Sequence, residues 1–87
     1  MRQISDIKVC IRILACTRGY IRKSLNGFWI RHKEGNSASW VSSEIIEEYE
    51  DLFVWIPSFL SYSLKPYEDL PEWAQFCYLE GMMENKS

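Results

Sequence analysis

The 87 residues contain one histidine, His32, and no cysteine or second histidine stands at ligand spacing from it. General-base chemistry needs an imidazole with an orienting partner and a reacting group within hydrogen-bond reach, and the sequence supplies neither. His32 therefore reads as a strand or turn residue. Glu44, Glu47, Glu48, Glu50 and Asp51 are numerous enough for paired-carboxylate or metal chemistry. Their spacing instead spreads charge along a solvated helix face and defines no coordination shell. Cys10, Cys16 and Cys77 are odd in number and lack paired ligand spacing, which predicts reduced, mostly buried thiols. No glycine-rich phosphate loop, Gly-x-Ser-x-Gly elbow or His-Glu-x-x-His motif occurs. The expectation is a protein without enzyme activity, cofactor or metal.

Recognition is the chemistry that remains, and two groups of residues carry it. Lys8, Arg12, Arg18, Arg22 and Lys23, extended by Arg31 and Lys33, form a basic series that could neutralise successive phosphates of a nucleic acid. With Arg2, and with Asp6 alone opposing, they give residues 1–33 a charge of +7. Residues 34–87 hold eleven carboxylates against Lys65 and Lys86, a charge of −9, and the whole chain is at −2. Such a division speaks to partners and not to fold. The second group is apolar. Trp55 falls beside the acidic positions, where a large exposed ring would anchor a protein interface, with Val54, Tyr62 and Tyr67 as companions.

The elements that must position these residues follow from periodicity. At helical spacing, residues 5–25 gather Val9, Cys10, Ile13, Leu14, Cys16, Tyr20 and Ile21 on one face and Lys8, Arg12, Arg18, Arg22 and Lys23 on the other. Ser5 or Asp6 would cap this helix, and Gly19 either ends it or lies on its polar face. A competing reading makes residues 7–13 a strand, because Ile7, Val9, Ile11 and Ile13 alternate with other residues. After Asn26-Gly27, the stretches 28–32 and 38–42 flank a Lys33–Ser37 turn and predict a hairpin.

Ser42-Ser43 before Glu44 predicts an N-cap and an acidic helix running to Trp55, with Ile45, Ile46, Tyr49, Leu52, Phe53 and Ile56 inward and Pro57 ending or kinking the element. Residues 59–64 are apolar without a clear period. Asp69-Leu70-Pro71-Glu72 resembles a capping box for a last helix that buries Trp73, Phe76, Cys77 and Leu79 and stops at Gly81, leaving 82–87 as a frayed tail.

Length and an apolar share of 47% fit one domain spanning 1–87, of α+β class, in the order basic helix, β-hairpin, acidic helix, C-terminal helix. A winged-helix-like arrangement is the alternative. Basic residues interrupt the N-terminal apolar stretch and no long apolar run occurs, so neither export nor a membrane partner is expected, and the compartment expected is the cytoplasm. Together these features predict a non-enzymatic protein-interaction module that regulates or inhibits a larger protein assembly, of the compact kind that phages and mobile elements encode. Direct nucleic-acid binding through the N-terminal basic face is the alternative.

Overall fold

A computed structural model describes residues 2–31 and 38–85. Six strands form one sheet: β1 (Arg2–Ile4), β2 (Ile21–Ser24), β3 (Gly27–Arg31), β4 (Ala38–Val41), β5 (Phe53–Ile56) and β6 (Ser61–Leu64). Their spatial order is β1-β4-β3-β2-β6-β5, with β1 parallel to β4 and every other pair antiparallel. Three α-helices complete the α+β domain: α1 (Ile7–Thr17), α2 (Ser43–Glu48) and α3 (Glu72–Asn85). The predicted hairpin is present as β3–β4, whereas its Lys33–Ser37 turn and His32 lie outside the described residues. A six-stranded sheet replaces the winged-helix alternative.

The long basic helix expected over residues 5–25 is corrected. Asp6 does cap it, accepting from the Lys8 N–H at 2.9 Å, but α1 ends at Thr17. Arg18 takes left-handed dihedrals (φ 53, ψ 39) and its N–H bonds to the Leu14 carbonyl, to which Gly19 N–H also donates at 3.2 Å. This turn ends the helix and releases Ile21 to Ser24 into β2, which is held on both sides by β3 and β6.

The acidic helix is also shorter than expected. Ser42 caps it, with the Glu44 N–H 3.3 Å from its hydroxyl, and Ile45 and Ile46 are buried, but α2 stops at Glu48. A 3-10 turn over Glu50–Leu52 follows, and Phe53-Val54-Trp55-Ile56 becomes β5. Aromatic and β-branched residues suit a pleated surface, and pairing with β6 overrides the helical spacing.

The last helix is longer than expected, with Met82 to Asn85 continuing it. Asp69 sits in a 3-10 turn over Tyr67–Asp69, and the Pro71 carbonyl accepts from Ala74 and Gln75 at 2.9 and 3.0 Å. Gly81 is a packing residue and no stop. A Cβ there would overlap the Arg12 carbonyl oxygen and lie 2.9 Å from the Ala15 Cβ, so α3 is pressed against α1. Ala74 and Cys77 supply the buried side of α3, whereas Trp73, Phe76 and Leu79, expected inside, are exposed. Small residues meet α1, and the large ones are left on the outer side.

Strand alternation assigns the two faces of the sheet. Ile4, Ile21, Ile30 and Val41 point to one side, where Cys10, Ile11 and Leu14 of α1, Ile45 and Ile46 of α2, and Ala74 and Cys77 of α3 join them in one buried cluster. The opposite side carries the cross-strand row Gln3, Trp40, Trp29, Arg22, Ser61 and Ile56. None of these six belongs to the apolar cluster. Among the described residues the helices therefore cover one face of the sheet and none lies on the other, the open face, where Ser61 alone of the row is fully buried.

Candidate functional site

β5 is the outermost strand, and among the described residues no strand pairs with its other side. Lys65 N–H donates to the Leu52 carbonyl at 2.9 Å, which fixes the alternation of the antiparallel ladder. Val54 and Ile56 turn their backbone groups toward β6. Trp55 turns its N–H and C=O away from the sheet. The side chains alternate too, with Val54 on the open face, 45% exposed, and Trp55 on the helical side, 37% exposed. Trp55 packs on Tyr62 with ring centroids 4.8 Å apart, and Tyr62 in turn meets Phe28 at 5.9 Å and Phe53 at 6.4 Å.

Three of the four residues predicted to bind protein thus share the β5–β6 edge. Val54 and Trp55 form its surface and half-buried Tyr62 supports the indole. Tyr67 lies elsewhere, in the turn before α3, 5.9 Å from Tyr78, with its carbonyl accepting from Gln75 Nε2. Glu50 and Asp51, both exposed, lie in the 3-10 turn that leads through Leu52 into the edge strand.

The predicted basic series is divided by the fold. Lys8 and Arg12 ride on α1 and Arg18 caps it, whereas Arg22 and Lys23 point to opposite faces of β2 and Arg31 ends β3. Lys33 lies outside the described residues. No single helix face unites them, so the continuous phosphate-binding row is corrected to a smaller group. Arg22 and Arg31 meet on the open face, their guanidinium carbons 6.0 and 5.7 Å from the centroid of the same Trp29 ring. Trp40 stands directly across from Trp29 on the neighbouring strand. Charge and helical spacing point to neither tryptophan, although the order Phe28-Trp29-Ile30-Arg31 places Trp29 and Arg31 on one side of a strand.

Charge follows the layers. Arg2, Arg22, Lys23 and Arg31 are the charged residues of the strands, and no strand residue carries a carboxylate. The carboxylates of the described residues lie on helices, in 3-10 turns, or at the α1 cap. Among the described residues no group of three or more His, Cys, Asp or Glu could hold a metal, and no helix is long and apolar enough to cross a membrane.

All three cysteines are free thiols, with Cys10 and Cys77 buried and Cys16 half-buried. Burial pushes the Cys10 thiol up to about 12, and burial and then Glu80 push Cys77 upward as well. Neither buried sulfur is primed as a thiolate nucleophile. Compared with family models, curated proteins and solved structures, the chain matches none.

Proposed function

We propose that this protein is a non-enzymatic interaction module that accepts an extended segment of a larger protein assembly along β5. The supporting observation is the β5 edge itself, where the outward N–H and C=O of Trp55 lie between the exposed side chains of Val54 and Trp55. Strand addition draws affinity from such main-chain groups and specificity from alternating side-chain contacts. Natural edges are commonly blunted by lysine, proline or an inward charge. Phe53-Val54-Trp55-Ile56 contains none of these. The fitting partner segment alternates apolar residues against Val54 and Trp55 and carries a basic residue that reaches Glu50 or Asp51. Sequestering a strand-forming segment in this way would regulate or inhibit the assembly that owns it.

The test pairs two substitutions with opposite chemistry. Trp55→Ala removes the indole but keeps the backbone donor. Trp55→Pro removes the outward N–H while leaving the ladder bonds of Val54 and Ile56 in place, a position that an edge strand tolerates. A partner captured from native lysate and reconstituted from purified components should bind each folded variant at least about 30-fold more weakly, as expected for an indole anchor worth 2 kcal/mol. Hydrogen exchange should show the Trp55 amide newly protected in the complex. Unchanged affinity of both variants, with Trp55 exchanging freely in the complex, would reject the edge as the interface.

A further inference from the structure

We infer that the open face of the sheet is a binding site for single-stranded nucleic acid, centred on Trp29 and its two arginines. A nucleic acid strand offers two chemistries, a repeating phosphate and flat bases, and this face has a counterpart for each. Arg22 and Arg31 are held within 6.0 Å of the Trp29 ring centroid, so their guanidinium planes are steered by the indole and ready to take phosphate oxygens. The rest of the row, Gln3, Trp40, Ser61 and Ile56, brings no carboxylate to oppose a polyanion.

A cleft of about 480 Å³ opens beside Trp40, between Gln3 and the Asn26-Gly27 turn of the β2–β3 hairpin. Its lining combines Trp40, Gln3 and Asn26 with Phe28, Val41 and Ser43, so it lies at the end of β3 and β4 and reaches round to the helical side of the sheet. Aromatic rings beside an amide are the groups that receive an unstacked base and read its edge. A strand crossing the face from Arg22 and Arg31 would therefore meet positive charge first and the Trp40 ring, at the rim of this cleft, next. Such a path excludes a rigid duplex, whose bases are already stacked and paired. The net charge of −2 does not oppose this, because the carboxylates of the described residues reside on helices, in 3-10 turns or at the α1 cap, while the charged strand residues of this face are arginines.

The experiment measures fluorescence anisotropy of a short labelled oligonucleotide of mixed sequence, as single-stranded RNA, as single-stranded DNA and as duplex. Wild-type protein should bind the single strands and hold the duplex at least tenfold more weakly, with tighter RNA binding reporting contacts to the 2′-hydroxyl. Arg22→Gln/Arg31→Gln should weaken binding at least tenfold in about 50 mM salt and reduce the log–log salt slope by about 1.4, the loss of two phosphate contacts to a single strand. Trp29→Ala should weaken binding by a factor of about ten, in line with the loss of the ring that holds both guanidinium groups in place. Because Trp29 is half-buried, the exposed arginine pair is the deciding variant should Trp29→Ala unfold. Trp55→Pro should bind the oligonucleotides as wild type does, which separates this site from the β5 edge. The inference is overturned if wild-type protein fails to bind single strands at low salt, if the arginine double variant keeps wild-type affinity and slope, if duplex binds equally well, or if Trp55→Pro abolishes binding.

Discussion

Gly81 of α3 rests against the main-chain carbonyl of Arg12 on α1, with only a hydrogen where any other residue would place a methyl group. Two effects then oppose each other in Gly81→Ala. Helix propensity favours alanine by about 1 kcal/mol, whereas overpacking against a rigid backbone costs about 1–3 kcal/mol. Contact with a carbonyl and with the Ala15 methyl leaves no flexible side chain to yield, so the second effect dominates. Denaturant unfolding should show a net loss of up to about 2 kcal/mol. A stabilised variant would mean that the two helices do not approach this closely.

Arg18 ends α1 with φ 53, a region that costs an L-residue about 1–2 kcal/mol and glycine almost nothing. Replacing it by glycine relieves that strain but enlarges the conformational freedom of the unfolded chain. Arg18→Gly should therefore raise stability by about 0.5–1 kcal/mol, with Arg18→Ala close to neutral. Leu60, at φ 47 between β5 and β6, should respond in the same direction. Lower stability in both glycine variants would reject left-handed geometry as the source of the strain.

Cys10 links stability to alkaline pH. Its thiol ionises near 9.0 in the unfolded chain and at about 12 in the fold, so below pH 9.0 it is neutral in both states and its contribution is fully present. Between those values the unfolded chain loses a proton that the folded chain retains. Stability should fall as pH rises through this window, by up to about 1.4 kcal/mol per unit from this group, with Cys77 acting in the same sense. Urea titrations at pH 8 and pH 10.5 should show a smaller loss in Cys10→Ala than in wild type. An undiminished loss in that variant would assign the alkaline sensitivity to other groups.

Asp6 accepts from the Lys8 N–H at 2.9 Å and satisfies one of the unpaired donors of the first turn of α1. Asp6→Ala should cost about 1 kcal/mol, and Asp6→Asn should recover most of it because an amide oxygen can accept the same bond. Equal losses in the two variants would point to the charge and not to the cap.

The residues that define local chemistry were legible in the sequence. Ser5-Asp6 and Ser42-Ser43 mark the two helix starts by type and place, with the choice within each pair left to the structure, and the β3–β4 hairpin follows from its apolar stretches on either side of a turn. Both overlong helices share one physical origin, since helical spacing extends across segments whose fate depends on distant partners. Phe53 to Ile56 fits a helix wheel as well as a strand, and only pairing with β6, itself without a clear period, decides between them. Ile21 to Ser24 likewise becomes a strand because β3 and β6 flank it. The Trp29 site escaped notice for the same reason, because Arg22 joins Arg31 there only through the β2–β3 register. Trp55 is 37% exposed, on a strand where helical spacing predicts the end of an acidic helix.

The parallel pairing of β1 with β4 sets an order on assembly. Hairpins β2–β3 and β5–β6 close over a few residues of chain, whereas Gln3 meets Trp40 only across the whole of α1 and the strands that follow it. Closing a long loop costs more entropy than closing a hairpin, so β1 should be the last strand to dock. Ile4→Val should then accelerate unfolding while leaving the refolding rate nearly unchanged, whereas Ile30→Val in the β3 hairpin should slow refolding. On a translating ribosome the first strand of this sheet emerges long before the strand that receives it, and an unpaired Arg2–Ile4 segment is exposed to pairing with other chains for all of that interval.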